Sequence, residues 1–397
     1  MTTSLELLLA DSKTRVDEVR DAAIALRRDL HAHPELGWNE VRTTEVLRQR
    51  LTEAGLSPRV LPTGTGLICD IGSGDTCVAL RADIDALPVP DAVQTPHRST
   101  VDGVAHACGH DVHTAALLGA ALVLAGMARD GLLDRRVRVI FQPAEEVMPG
   151  GALGVIAAGG LDGVRRIYGL HCDPRLQVGQ IGLRVGALTA AADRILVRLT
   201  GPGGHTSRPH LTADLVYALA TLVTELPAAL SRRVDPRAGM SLVWGRITSG
   251  SAANAIPARG EAEGTLRCLD ANAWRLAEEL IPALATQLAS PYGVEVDTEV
   301  THGVPPVMND PGAIEVFRTA VEQTLGSAAV APTDQSLGGE DYAWYLEHVP
   351  GAMVRLGVRP AGTDTDTAAD LHTPGFNPSE DAITIGTSVL VATALLD

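Results

Sequence analysis

Apolar positions recur at helical spacing along residues 12–30 and again along 40–55. Between these two amphipathic stretches stands HAHPELGWN, where Pro34 and Gly37 punctuate the chain. Short apolar runs follow at TCVALRAD (76–83), VRVIFQP (137–143) and RIYGLHC (166–172), and they read as buried strands. Between the first two, the Ala/Leu-rich HTAALLGAALVLAGMA (113–128) reads as a helix. Strands alternating with helices predict an α/β fold, a mostly parallel mixed sheet flanked by helices. Reactive groups in such sheets gather beyond the carboxyl ends of the strands. Asp83, the Glu145/Glu146 pair and His171 each stand at or just past such an end, so one crevice could collect them.

The texture changes at about residue 188. DRILVRLTG, MSLVWGRITSG and ARGEAEGTLRCL look like strands of a sheet with one wet face, joined by the helical stretches ADLVYALATLVTEL and ANAWRLAEELIPALATQL. This predicts a smaller α+β domain at 188–300, inserted into a catalytic domain made of 1–187 and 301–397. The length of 397 residues independently favours two domains. After residue 300, AIEVFRTAVEQTL, GAMVRLGV and DAITIGTSVLVATALL resume the alternation.

Composition narrows the functional classes. With 45% hydrophobic and only 3% aromatic residues, the core must be mostly aliphatic. A net charge of −16 without a basic block argues against nucleic-acid partners, whose phosphates need a cationic footprint. No apolar run is read as spanning a bilayer, so no membrane partner is expected. The start, MTTSLELLLADSK, carries Glu6 and no basic leader, which argues against a secretory signal. Five scattered cysteines without a C-x-x-C pair suit a reducing compartment, and the expected location is cytoplasmic.

The candidate chemistry centres on HACGHDVHTA, where Cys108 and His110 flank a glycine just before a helix. A thiolate and an imidazole suit zinc and related divalent ions. A buried thiol beside a helix-capping Asp111 is the plain alternative for this stretch alone. In QPAEE, adjacent side chains diverge, so one glutamate can bind a cation while the other reaches a water. His171 closes an apolar run and His372 lies in the DLHTPGF loop. Together these supply five groups able to ligate.

RRDLHAHPELGWNE, ALRADIDALP, HACGHDVHTA, FQPAEE, YGLH, GPGGHTSRPH, NAIPARGEAEGTLR, GGEDYAWY and LHTP resemble, in order, the motifs of the metal-dependent aminoacylase/carboxypeptidase superfamily. The closest likeness is to its amidohydrolase branch of hippurate hydrolases, N-acyl-amino-acid amidohydrolases and indole-acetyl amino acid hydrolases. The resemblance implies hydrolysis of N-acyl amino acids at a centre of two divalent ions per subunit. Zinc or manganese are the leading metals, with cobalt or nickel as other candidates. It implies Cys108, His110, Glu146, His171 and His372 as ligands and Glu145 as general base and acid. Many members have a histidine ligand where this chain has Arg81, which cannot ligate; the CGH turn takes over, and Asp83 becomes a supporting partner. His113 supports a ligand or merely packs. The resemblance also implies His205 as oxyanion stabiliser and substrate contact, Asn254 and Arg267 as anchors of the substrate carboxylate, and a homodimer formed through the inserted lid domain. HAHPE is read as structural. Two other readings use the same chain: a dipeptidase acting on unblocked peptides, and a non-catalytic binding protein of the same fold.

Overall fold

The computed structural model describes residues 2–365 and 367–397, with side chains from Leu5 onward. The chain forms two compact units. One comprises residues 1–186, 309–334 and 344–397, and the other 187–308 and 335–343.

The first unit is built on an eight-stranded mixed sheet. Its spatial order is Arg59–Val60, Leu67–Ile71, Arg136–Gln142, Cys77–Asp83, Val164–Gln177, Gly351–Arg359, Ile181–Leu183 and Val330–Pro332. The four central strands run parallel to one another, and antiparallel pairings flank them. Leu80, Val139, Tyr168 and Val354 from these strands are buried with Leu117 and Leu124 of the His110–Arg129 helix and Ile383 and Leu390 of the Asp381–Leu396 helix. The Thr2–Ala32 helix adds Leu26 and Leu30 to the same core. Burial of these aliphatic side chains is what holds helices and sheet together, at roughly 1.5–3 kcal/mol for each one fully removed from water. The His110–Arg129 helix, contrary to expectation, is long and apolar enough to cross a bilayer, but 89% of that stretch is buried inside the protein. It is the central core helix.

The parallel strands bring their carboxyl ends to one edge, with Asp83 paired in register with Gln142 and Arg81 with Gly169. His171 does not end its strand, contrary to the sequence reading. The strand continues to Gln177 and pairs His171 with Arg355, because the neighbouring Gly351–Arg359 strand is equally long.

The second unit is a four-stranded antiparallel sheet in the order Ser241–Ser249, Arg259–Cys268, Ala191–Thr200, Glu295–Val304. Period-two alternation sends Ile195, Val197, Ala262 and Leu266 inward, beneath the helices Leu215–Leu230 and Ala271–Ala289. The opposite face carries ion pairs such as Arg246 with Glu261 and Arg198 with Glu299. The expected boundary at 300 falls inside the Glu295–Val304 strand, which pairs along its length with Ala191–Thr200. The unit therefore runs to residue 308 and takes back 335–343, where Ser336 bonds to Leu188 and Ala190.

Candidate metal centre

The CGH turn is set by Gly109, which has φ 89° and stands at the N-cap of the His110–Arg129 helix without a capping side chain. A side chain there would be strained, and its Cβ would come 2.7 Å from Cys172 Sγ. Asp111 is therefore not the cap. It is fully buried, 2.8 Å from both Arg27 Nε and His31 Nδ1, and ties the turn to the first helix. His31 reaches on to Asp91 at 3.2 Å, which gives HAHPE its structural part.

Two histidines turn Nε2 toward the cluster. His110 Nδ1 lies 3.0 Å from the Asp85 carbonyl oxygen and 3.1 Å from Asp85 Oδ1, both acceptors, so Nδ1 carries the proton. His110 Nε2 is buried, with no hydrogen-bond partner among the described residues. His171 Nδ1 donates to the Cys172 carbonyl at 2.7 Å, which turns its Nε2 toward Cys108 Sγ at 3.6 Å. His113 differs: its Nδ1 donates to Asp83 at 2.6 Å and its Nε2 accepts from the Cys172 N–H at 2.7 Å. Both nitrogens are occupied, so His113 supports and does not ligate.

The other predicted ligands converge on the same spot. His372 Nε2 is 3.3 Å from Cys108 Sγ and 3.2 Å from Glu146 Oε1, and its backbone N–H bonds to the Ala107 carbonyl at 2.8 Å. His110 Nε2 is 3.9 Å from Glu145 Oε2 and 3.9 Å from Glu146 Oε1. Ligand atoms of Cys108, His110 and His171 lie within 4.8 Å of one another, as do those of Cys108, Glu146 and His372, and those of His110, Glu145 and Glu146. Asp83 is fully buried between Arg81 Nη1 at 2.7 Å and His113, with His110 Nε2 3.6 Å away.

The electrostatics of this cluster favour a cation. Burial opposes a charge on His110, yet Asp83, Asp85 and Glu146 raise it to about 10. Burial disfavours the charged form of Asp83, but His110, His113 and Arg81 outweigh it and hold the carboxyl well below the usual range. Burial, then Glu146 and Glu145, push the Cys108 thiol well above its ordinary value. Burial and Arg355 keep His171 neutral. A thiol, two carboxylates and buried imidazole nitrogens facing one another form a donor set of mixed hardness suited to divalent metal ions.

Asp85 escaped the sequence reading. Its Oδ1 orients His110, and its Oδ2 accepts the Glu146 N–H at 3.0 Å. The signal was present in RADID, where two carboxylates at period two follow a strand.

His205, Asn254 and Arg267 belong to the second unit. His205 and Asn254 are neighbours on a short ribbon, where Ala255 pairs with His205 and the Thr206 N–H bonds to the Asn254 carbonyl at 3.3 Å. His205 Nδ1 accepts from the Ser207 N–H at 3.1 Å, which leaves the proton on an exposed Nε2. Arg267 lies on the Arg259–Cys268 strand, half-buried, opposite Ser241 and Ala192.

Comparison with known proteins agrees with this geometry. Residues 79–396 match peptidase family M20/M25/M40, and the chain belongs to that family. It is a hydrolase of the amidohydrolase type. It is 38% identical over 362 residues to N-acetyl-L-cysteine deacetylase of Bacillus subtilis, covering 91% of this chain and 84% of that one. A Rhodococcus jostii protein provisionally named glutamate–cysteine ligase 2-3 is 49% identical over 386 residues; these cover 97% of this chain but only 47% of that protein, so the chain spans about half its length. Among solved structures, the Bacillus subtilis YXEP protein, described as a dinuclear metal binding peptidase of the M20 family, superposes with a TM-score of 0.82 at 34% identity, covering 96% of this chain and 98% of that one.

Proposed function

We propose that the protein hydrolyses the amide bond of N-acyl amino acids, releasing a carboxylic acid and a free amino acid, with two divalent cations held by Cys108, His110, Glu146, His171 and His372. The observation that carries this reading is the buried, unpartnered Nε2 of His110 facing carboxylate oxygens at 3.6–3.9 Å. A buried ring nitrogen left without a hydrogen-bond partner and facing carboxylates is costly unless positive charge fills the space. The cation pair, when bound, supplies a polarising charge for the amide carbonyl and acidifies water.

The chain's own residues do the rest. Glu145 is the carboxylate beside the ligand Glu146, and its Oε2 takes a proton from the attacking water and returns it to the leaving nitrogen. Asp83 and Asp85 fix the orientation of His113 and His110. His205 donates from Nε2 to the developing oxyanion. Asn254 and Arg267 bind the substrate carboxylate, Arg267 by its planar fork.

Zinc or manganese is the proposed metal: the thiol and imidazoles suit zinc, and the carboxylates suit manganese. The five cysteines are all free and buried, which supports a cytoplasmic location. The Ser241–Ser249 strand forms a sheet edge with Val243 and Ile247 exposed, which supports a homodimer formed through the second unit.

The test is a panel of N-acyl amino acids and matching dipeptides, offered to metal-stripped protein refilled with zinc, manganese, cobalt or nickel. The expected result is release of free amino acid from the N-acyl compounds, abolished by chelator. Cleavage of dipeptides alone, or turnover indifferent to metal, would overturn the reading.

A further inference from the structure

Glu40 is a carboxylate that the mechanism above does not use. It has no solvent exposure and sits just before the Val41–Glu53 helix. Its main chain is held firmly: the Glu40 carbonyl accepts from the Thr44 N–H at 3.0 Å and from Thr44 Oγ1 at 2.6 Å, and Thr44 Oγ1 in turn accepts from the Gly66 N–H at 2.8 Å. From this fixed base Glu40 Oε1 accepts the Ala144 N–H at 2.7 Å, across 104 residues of sequence.

Ala144 is the residue immediately before Glu145, and it is one of three non-glycine residues with positive φ among those described, at 52°. An L-residue in that region is strained and persists only where its surroundings hold it. Two residues on, Asp85 Oδ2 accepts the Glu146 N–H at 3.0 Å. The turn is thus gripped by one carboxylate on each side of Glu145, and both grips are on alternate backbone N–H groups. Close packing completes the hold, since a Cβ on Gly37 would lie 3.2 Å from Ala144 Cα.

We propose that Glu40 is a positioning residue for Glu145, acting through the Ala144 N–H to keep the turn in its left-handed conformation; this rests on the hydrolytic reading given above. Glu40 touches neither substrate nor metal in this role. Burial pushes its carboxyl up to about 7, so near neutral pH a glutamine is a close stand-in for it. A displacement of about 1 Å in a reacting group is enough to cost roughly a hundredfold in rate.

Three variants at Glu40 and one at Ala144 decide the matter. Glu40→Ala removes the acceptor and should lower kcat about a hundredfold with KM and metal content unchanged. Glu40→Asp withdraws the acceptor by one methylene and should lower kcat about tenfold, which keeps the test informative if the alanine variant does not fold. Glu40→Gln keeps an acceptor and should retain kcat within about threefold. Adding Ala144→Gly to Glu40→Ala or Glu40→Asp should recover about tenfold, because glycine adopts positive φ without help. Hydrogen exchange at the Ala144 amide supplies a readout independent of turnover: protection should fall in Glu40→Ala and Glu40→Asp and persist in Glu40→Gln. A glutamine variant as damaged as the alanine or aspartate one, a shift confined to KM, or full activity despite lost protection would each overturn the assignment. Protein that cleaves no N-acyl amino acid, but shows the expected exchange pattern, would end the functional reading and leave the grip on the turn standing.

Discussion

Cys108, His110 and His171 are buried, and each histidine nitrogen turned away from the cluster is committed to a protein acceptor. His205 and Asn254, by contrast, stand exposed on a two-strand ribbon, steadied by short local bonds from Ser207 and Thr206. The first group is organised before anything binds, at the cost of lone pairs and carboxylates facing one another. Under the proposed function, the buried set would hold the ions and the exposed set would meet the substrate.

Substitutions sharpen this contrast in descending order of effect. Glu145→Gln should lower turnover by about four orders of magnitude while elemental analysis finds the metal content unchanged; loss of metal would move Glu145 into the ligand set. His205→Ala should lower kcat about a hundredfold, also with metal retained, in steady-state assays. Near-normal kcat would leave the exposed ribbon without a catalytic part. Asp85→Ala should weaken metal binding about 10–100-fold, measured by titration calorimetry, because His110 loses part of what orients it. Unchanged affinity would mean that the Asp85 carbonyl alone suffices.

The smallest effect serves as a control on burial. Arg138 grips Asp70 through two hydrogen bonds of 2.7 and 2.9 Å, and these, with its charge, hold the Asp70 carboxyl below its ordinary 3.8. A depressed carboxyl contributes stability above its unfolded value and loses it as pH falls through the folded one. Asp70→Asn should therefore cost no more than about 1 kcal/mol at pH 7, since Asp70 is more than a third exposed. Melting curves of the two proteins should converge below pH 3.8. A constant gap at all pH values would assign the effect to packing instead of charge.

The strands and helices that carry the centre were legible because their signals are local. Buried runs such as VRVIFQP, and the glycine in CGH, declare themselves over a few residues. Cys108, Glu146, His171 and His372 were readable as candidates for the same reason, and the fold brings them together. What stayed hidden depends on register between distant strands. Arg81 meets Gln142 only because the Cys77–Asp83 and Arg136–Gln142 strands pair as they do, and no spacing along the chain announces that. Glu40 meets Ala144 for similar reasons. The boundary near residue 300 was missed because Glu295–Val304 alternates like any edge strand, and the sequence does not say to which sheet it adds.

His372 alone among the five ligand candidates has a side chain about half open to solvent, at 51%. Cys108, His110 and His171 form the floor, and Glu146 is nearly closed off at 13%. Under the proposed function, His372 is therefore the ligand that solvent reaches most readily. On that reading, exchange of the ion with solvent is expected past the 370–375 loop, and the buried donors are expected to set how tightly it is kept.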